Sequence, residues 1–418
     1  VTIDDRGPNA FGSPSPLLSA HERRAFAVGN SFFRQNWVTA PSSTTGRDGL
    51  GPLFNARSCS ACHFKDGRSR PPLDGEFERQ GLLIRIGVPV PDGPDRDHAH
   101  YGSQIQDGAV LGVAPEATVV IHRRTLEGSY GDGTPFELEA PAYELADLAY
   151  GELGSSFVLS PRVAPQLIGL GLLEAVPAAT IEALADADDR DGDGISGRAH
   201  HVGGELGRFG WKAAQPTVAS QTAAAFANDM GITSPLHPDE VLTEEQRRRL
   251  VFTSGGAPEI GQLAFDRVVF YTRTLAVPAA RDQADPQVAA GRVLFERFRC
   301  TSCHVPELRT GPVAWHAGHG GRTIHAFTDL LLHDMGEALA DGKRDGEAGP
   351  QEWRTPPLWG IGLVPVVNAH SRYLHDGRAR DLAEAVLWHG GEAEAAKERF
   401  RCARSGERDA LLAFLRSL

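Results

Sequence analysis

Two pentapeptides of the form C-x-x-C-H constrain this chain more than any other feature. They are Cys59, Cys62 and His63 in "RSCSACHFKDG", and Cys300, Cys303 and His304 in "FRCTSCHVPEL". Between them they use four of the five cysteines. Two thiols three positions apart can bond covalently to the two vinyl groups of one haem, and the adjacent histidine then reaches the iron from the proximal face. A zinc reading would have to pair the two motifs with each other across the 237 positions that separate His63 from Cys300 (300 minus 63). A thioredoxin-like redox pair would need a βαβ context, whereas Pro- and Gly-rich loops and helices flank both motifs. The pattern therefore predicts two covalently bound haem c groups, with His63 and His304 as proximal ligands. Covalent attachment takes place outside the bacterial inner membrane, so a periplasmic, exported protein is expected. The chain begins without Met, and "VTIDDRGPNA" lacks a basic-then-apolar leader, which reads as a mature form.

A chain of 418 residues usually forms two or three packed units. Its formal net charge of −12 argues against nucleic acid and against an anionic membrane, while leaving a basic protein partner open. No run is apolar for long enough to span a bilayer. Cys402 has no cysteine left to pair with and reads as a small, partly buried thiol near a C-terminal helix.

The expected fold class is mainly α, with two cytochrome c-type haem domains and a small antiparallel β insertion between them. A helix capped by Ser19 covers "SPLLSAHERRAFAVGNSFF" and leads toward the first motif. "DPQVAAGRVLFERFRCTSCH" leads into the second in the same way, and Gly29–Phe32 is matched by Gly291, Leu294 and Phe295. Short β-branched runs between residues 79 and 150 read as strands, with helices resuming at "SPRVAPQLIGLGLL". This gives an N-terminal haem domain over 1–78 and 151–277, a β-rich insertion over 79–150, and a C-terminal haem domain over 278–418, entered through the linker "PAARDQAD".

In "DADDRDGDGISGRAH", Asp189, Asp191 and Asp193 alternate ahead of Gly194, as in a calcium loop, with Ile195 at the carbonyl position. Position twelve of that register is His200 rather than a bidentate Glu, so a solvated acidic loop is the alternative. His316, His319 and His325 are spaced loosely in a Gly-rich stretch and read as solvated.

"GPLFNARSCSACH", "DGDGISGRAHHVGGELGRFGWKAAQPTVASQ", "DLLLHDMG" and "RTPPLWGIG" with "YLHDGRARDLAEAVLWHGGEA" together resemble the bacterial di-haem oxidoreductase family. Members of that family carry the labels peroxidase or thiol oxidoreductase. More distantly, the C-terminal part is similar to the di-haem cytochrome c peroxidases and MauG. Their T-x-P-L, Y-x-H-x-G and L-x-E-A-V elements fall here on Thr355, Pro357, Leu358, Tyr373, His375, Gly377, Leu382, Glu384, Ala385 and Val386. The resemblance implies a high-potential relay haem in the C-terminal domain and a peroxide-reactive haem in the N-terminal one, with calcium near the domain interface. It also implies an electron-donor protein, such as a small cytochrome or a cupredoxin, and peroxide or an oxidisable small molecule or protein as substrate. A non-catalytic di-haem electron carrier is the rival reading, and a haem-based sensor subunit is a third.

The two methionines, Met230 and Met335, both stand in the tripeptide D-M-G and are candidate thioether ligands. Thioether ligation suits a relay haem, which favours Met335 opposite His304. His389 occupies the slot in which the peroxidases carry a Met after L-x-E-A-V, and it is the alternative. The first iron is either capped by Met230 or open. Trp211 is the candidate relay between the haems, and His375 and Arg378 are candidate partners for haem propionates. Glu137, Glu139 and Lys212 are the acid–base groups nearest in sequence to the expected pocket.

Overall fold

Ser19 starts the first helix with a full capping box. Its hydroxyl accepts the Glu22 amide while the Glu22 carboxylate accepts the Ser19 amide, and the helix then runs over Ala20–Arg34. Asp285 caps the second haem-motif helix, Pro286–Arg297, with a proline in its first turn. Each of these helices crosses a later helix at a glycine. A Cβ on Gly29 would lie 2.1 Å from the carbonyl oxygen of Arg267, in the helix Gln262–Arg273. A Cβ on Gly291 would lie 1.9 Å from the carbonyl oxygen of Ala410, in the helix Ser405–Ser417. Only glycine lets the backbones approach this closely. The same crossing is therefore built twice, once in each half of the chain.

The computed structural model describes residues 1–73, 76, 81–91 and 93–418, so residues 79, 80 and 92 of the expected insertion lie outside it. The fold is not mainly α. With 31% helix and 19% strand, it is a mixed α/β structure containing many small sheets. Two long strands, Thr118–Ser129 and Pro135–Ala146, pair antiparallel along their whole length. Leu82–Gly87 pairs with Gln104–Ile105 on one side and with Val158–Val163 on the other. That last strand takes up residues 160–163, which the sequence reading gave to a helix. Pro161 is tolerated there because Val158–Val163 is an edge strand. Two- and three-residue ladders supply the rest, such as Leu332–Asp334 against Glu352–Arg354. These pairings bring together segments far apart in sequence, where local periodicity carries no signal.

One apolar core joins the two helical halves, and Phe33, Phe226, Tyr271, Phe295, Trp359 and Phe414 all belong to it. The β segment has a second core around Ile84, Ile86, Tyr101 and Trp211. The tip of the long hairpin reaches the C-terminal half. There Arg408 pairs with Asp132 and stacks over Tyr130, and Arg401 donates to the Ser129 carbonyl. Glu384 accepts the Glu139 amide and also holds Arg380, so the same hairpin braces the short helix Leu382–Leu387. Among the described residues no helix is long and apolar enough to cross a membrane.

Candidate haem sites

Both pentapeptides open onto one continuous cavity of about 640 Å³, whose wall includes Cys59, Cys62, His63, Cys300, Cys303 and His304. The four cysteines are free thiols. Burial raises Cys59 and Cys300 to about 12, and it pushes Cys62 and Cys303 upward as well. The proximal histidines are set identically. His63 Nδ1 lies 2.8 Å from the Pro165 carbonyl oxygen, and His304 Nδ1 lies 2.9 Å from that of Phe327. Each carbonyl fixes the tautomer with the proton on Nδ1, leaving the Nε2 lone pair for a metal. Burial lowers both rings to about 4, which keeps them neutral, as ligation requires. Phe33 and Phe295 sit against the two imidazoles at the same 6.3 Å centroid distance. The repeated glycine-to-phenylalanine spacing is thus Gly29 to Phe33 and Gly291 to Phe295, not the Gly29–Phe32 match read from sequence.

Buried guanidinium groups give a second test of fit. Arg68 and Arg354 line the cavity and are held by backbone carbonyls only. Arg68 donates to Arg372 and Leu374, and Arg354 donates to Gly210 and Thr355. Among the described residues neither forms an ion pair, and burial lowers both to about 10. A cavity wall carrying buried cations without carboxylate partners suits an anionic ligand edge, such as haem propionates. The residues present therefore fit two haems. Sequence reasoning missed both arginines, although Arg354 opens the quoted "RTPPLWGIG", because they converge from distant segments.

Of the two residues expected at propionates, His375 lines the cavity, with its ring stacked on Trp353 at 3.8 Å and its Nε2 unpartnered. Arg378 does not line it. Its guanidinium pairs with Asp376, donates to the Ala338 carbonyl and stacks over Trp388. The expected acid–base residues are also engaged elsewhere. Lys212 is buried against Asp341 and the carbonyls of Lys343 and Gly349, Glu139 pairs with Arg372, and Glu137 lies near Arg380 on the hairpin.

Met230 ends the helix Val218–Met230, and Met335 follows the strand Leu332–Asp334; both line the cavity. Their shared glycine has a backbone reason, since Gly231 and Gly336 both take positive φ, at 61° and 77°. Asp229, beside Met230, is a partly buried carboxyl on the cavity wall. Its carbonyl accepts the Asn55 and Ala56 amides, just ahead of the first motif. His389 also lines the cavity. Its Nδ1 lies 2.7 Å from the Ala385 carbonyl, the arrangement seen at the two proximal histidines, and its charge would act on His304. Met335 and His389 are near neighbours, because a Cβ on Gly390 would meet the Met335 carbonyl at 3.0 Å. Trp211 lines the same cavity, donates from Nε1 to the Val163 carbonyl and carries Arg68 over its ring.

One cluster escaped the sequence reading, although it lies inside "DLLLHDMG". His333 is held between Asp329 at 2.8 Å and Glu392 at 2.6 Å, with Cys303 Sγ at 3.5 Å from Nδ1. Burial opposes its charge, but these hydrogen bonds outweigh burial and hold the imidazolium well above its ordinary range. Glu392 also accepts from Ser196, at the end of the acidic loop.

In that loop, carboxylate oxygens of Asp189, Asp191 and Asp193 lie within 4.8 Å of one another. The Ile195 amide donates to Asp193. His200 cannot serve as a loop ligand, because it is buried with Nδ1 on the Lys212 carbonyl and Nε2 accepting the Glu347 amide.

Two readings of solvent exposure need correction. His319 is buried, with its Nδ1 2.9 Å from that of His316 and its ring against Trp315, and only His325 is exposed as expected. A 3-10 turn over Ala317–His319 folds this Gly-rich stretch inward. Cys402 is exposed rather than partly buried, as the last residue of the helix Glu394–Cys402.

The family model described as "Di-haem oxidoreductase, putative peroxidase" matches residues 2–85 and 85–418. No curated protein matches the chain. With two C-x-x-C-H motifs of one design on a shared cavity and a family match across nearly its whole length, the chain belongs to the di-haem oxidoreductase family.

Proposed function

We propose that the protein is an exported, periplasmic di-haem c oxidoreductase of peroxidase type. The observation that carries this is the shared cavity, onto which both C-x-x-C-H pentapeptides and their carbonyl-locked histidines open. Cys59 and Cys62 would bind one haem through thioethers, and Cys300 and Cys303 the other. Haem iron, when bound, supplies one-electron chemistry and a coordination position for a peroxide oxygen. His63 and His304 would each offer Nε2 to an iron, and Arg68 and Arg354 would neutralise haem propionates. Trp211, on the wall of the shared cavity, is the relay residue of this reading. Asp229 would hold and return a proton beside the first haem, from the helix end that carries Met230.

Opposite His304 we assign His389 in preference to Met335. Its Nδ1–H is already anchored on Ala385, so Nε2 is free to face the metal. Electrons from a donor protein, a small cytochrome or a cupredoxin, would enter at this second haem. The first haem, capped by Met230 or open, would meet peroxide or an oxidisable substrate. Calcium would bind Asp189, Asp191 and Asp193 with the Ile195 carbonyl, relieving repulsion among gathered carboxylates.

The test is stoichiometry followed by reactivity. Protein matured with a cytochrome c assembly system should retain two haems after acid–acetone extraction and lose one in Cys59→Ala/Cys62→Ala. Peroxide should then change the spectrum of one haem and turn over with an added electron donor. Zinc or free thiols at these cysteines would end the reading. Two low-spin haems indifferent to peroxide would leave a non-catalytic electron carrier.

A further inference from the structure

The overall charge of the chain is −12, yet residues 19–70, around the first pentapeptide, carry eight Lys and Arg against three Asp and Glu. Two of those acids, Asp48 and Asp66, are buried. Arg34 and Arg57 are exposed, and Lys65 is half-buried. None of the three forms an ion pair among the described residues. Contacts close to the haem motif bring them together. Ser60, inside the pentapeptide, donates to the Arg34 carbonyl at 3.0 Å, and the Trp37 amide donates to the Arg57 carbonyl at 2.7 Å. Lys65 lies over the ring of Phe64, which directly follows His63 and is 59% exposed. Asn368 donates to the Phe64 carbonyl at 2.7 Å, which brings the exposed Val366 of the helix Val364–Asn368 to the same face.

Beside the second pentapeptide Arg297 pairs with Glu407 and Arg299 pairs with Asp193, and the residue that follows His304 is Val305 rather than an aromatic. Cations without ion pairs thus flank an exposed aromatic at the first motif. Such a pairing, on an otherwise acidic molecule, complements an acidic protein surface.

We propose that this face docks an acidic redox protein that gives one electron directly to the first haem. The inference rests on the oxidoreductase reading and names the class of its oxidisable substrate. In the step, the reduced partner would give up one electron, which a bound ferric haem would accept, with no bond made or broken.

The sign of the salt dependence is diagnostic. Two net-acidic proteins that meet through their overall charge should associate better as salt rises. Docking on a local cationic ring should weaken instead, because screening acts over about 10 Å at 0.1 M salt. The probe is an acidic plant-type [2Fe–2S] ferredoxin, with binding followed by calorimetry and reduction of haem by stopped flow. The native holoprotein should lose about tenfold in affinity and in second-order rate between 20 and 200 mM salt. Arg34→Glu/Arg57→Glu should remove that binding and invert the salt trend, and Arg34→Gln/Arg57→Gln should fall between. Phe64→Ser should weaken binding without altering the salt slope, and Arg292→Glu/Arg309→Glu in the other half should change neither. Affinity that rises with salt in the native protein, or that survives the Arg34/Arg57 reversal, overturns the proposal. Haem content is read on the same samples from the alkaline pyridine spectrum. Haem-free chain that still binds ferredoxin with this salt trend removes the oxidoreductase reading and keeps the face. Haem-loaded chain that does not bind it removes the face alone.

Discussion

Replacing Gly291 by Ala tests whether the repeated helix crossing holds the haem motif in place. The new Cβ would sit 1.9 Å from the Ala410 carbonyl oxygen and 2.7 Å from Phe414 Cβ. Real Cβ contacts stay beyond 3.0 Å, so the helices Pro286–Arg297 and Ser405–Ser417 would have to part by about 1 Å. The obstacle is backbone, which cannot rotate away as a side-chain tip can. A gap of that size forfeits roughly a quarter to a half of each affected dispersion contact. Overpacking of this kind costs about 1–3 kcal/mol. Against it stands about 1 kcal/mol of helix propensity gained when alanine replaces glycine. With a rigid oxygen in the way, the upper end of the cost applies, and a net loss of about 2 kcal/mol is expected. Urea unfolding followed by tryptophan fluorescence measures it. Gly406→Ala, in the facing helix with nothing within 4 Å of its added methyl group, is the control and should be neutral or stabilising by up to about 1 kcal/mol. Phe295 lies on the displaced helix at 6.3 Å from His304, so Gly291→Ala should also disturb the second haem's spectrum and leave the first unchanged. A Gly291→Ala protein as stable as the native one, with an unaltered second haem, would refute the close-crossing argument.

Three further outcomes are expected. His389→Met should keep the second haem low-spin and raise its potential, since a thioether replaces an imidazole; an unchanged potential and spectrum would return the ligand role to Met335. Chelation should lower the thermal midpoint of the native protein and have no effect on Asp189→Asn/Asp191→Asn, whereas identical responses would mark the loop as merely solvated. Burial raises Glu116 from 4.5 to about 8, against hydrogen bonds from the Gln106 amide and Gln246. Between those values the folded state keeps a proton that the unfolded state has lost. Glu116 should therefore contribute a fall in stability of up to about 1.4 kcal/mol per pH unit as pH rises through that window. The slope should be smaller in Glu116→Gln, and an equal slope in both proteins would show that Glu116 ionises freely.

What could be read from the sequence was mostly what is encoded locally. The Ser19 and Asp285 caps, the helices they start and the long hairpin strands follow from short-range patterns, and the structure contains all of them. The two C-x-x-C-H pentapeptides were visible for the same reason, because Cys, Cys and His fall within five residues. Pairings between remote segments were not. Nothing near Ser160 signals that Val158–Val163 will lie beside Leu82–Gly87, so the strand content was underestimated and the mainly α expectation failed. Arg68 and Arg354 look like ordinary surface arginines until the fold buries both on one wall. His319 was judged solvated from its glycine neighbours, yet the glycines are what allow the turn to tuck it against Trp315. Arg378 failed in the opposite sense. The Asp two residues before it takes up its charge before any ligand could.

The repeat also shows where the two halves have been made unlike. Gly29 and Gly291, Phe33 and Phe295, and the carbonyls of Pro165 and Phe327 do the same work at each motif: they bring a helix close, wedge the imidazole and aim its Nε2. A device that only positions a ligand can be copied unchanged. What sets one haem apart from the other must then lie in the surroundings that differ. At the second motif a histidine held by two carboxylates touches Cys303, and Arg297 and Arg299 are paired. At the first, Arg34 and Arg57 have no ion pair among the described residues, and Phe64 faces solvent. His333, held between Asp329 and Glu392, places a buried ionic cluster against Cys303 that has no counterpart of the same kind at Cys62 among the described residues. The asymmetry a two-haem oxidoreductase needs is thus carried by residues outside both pentapeptides, where no motif marks them.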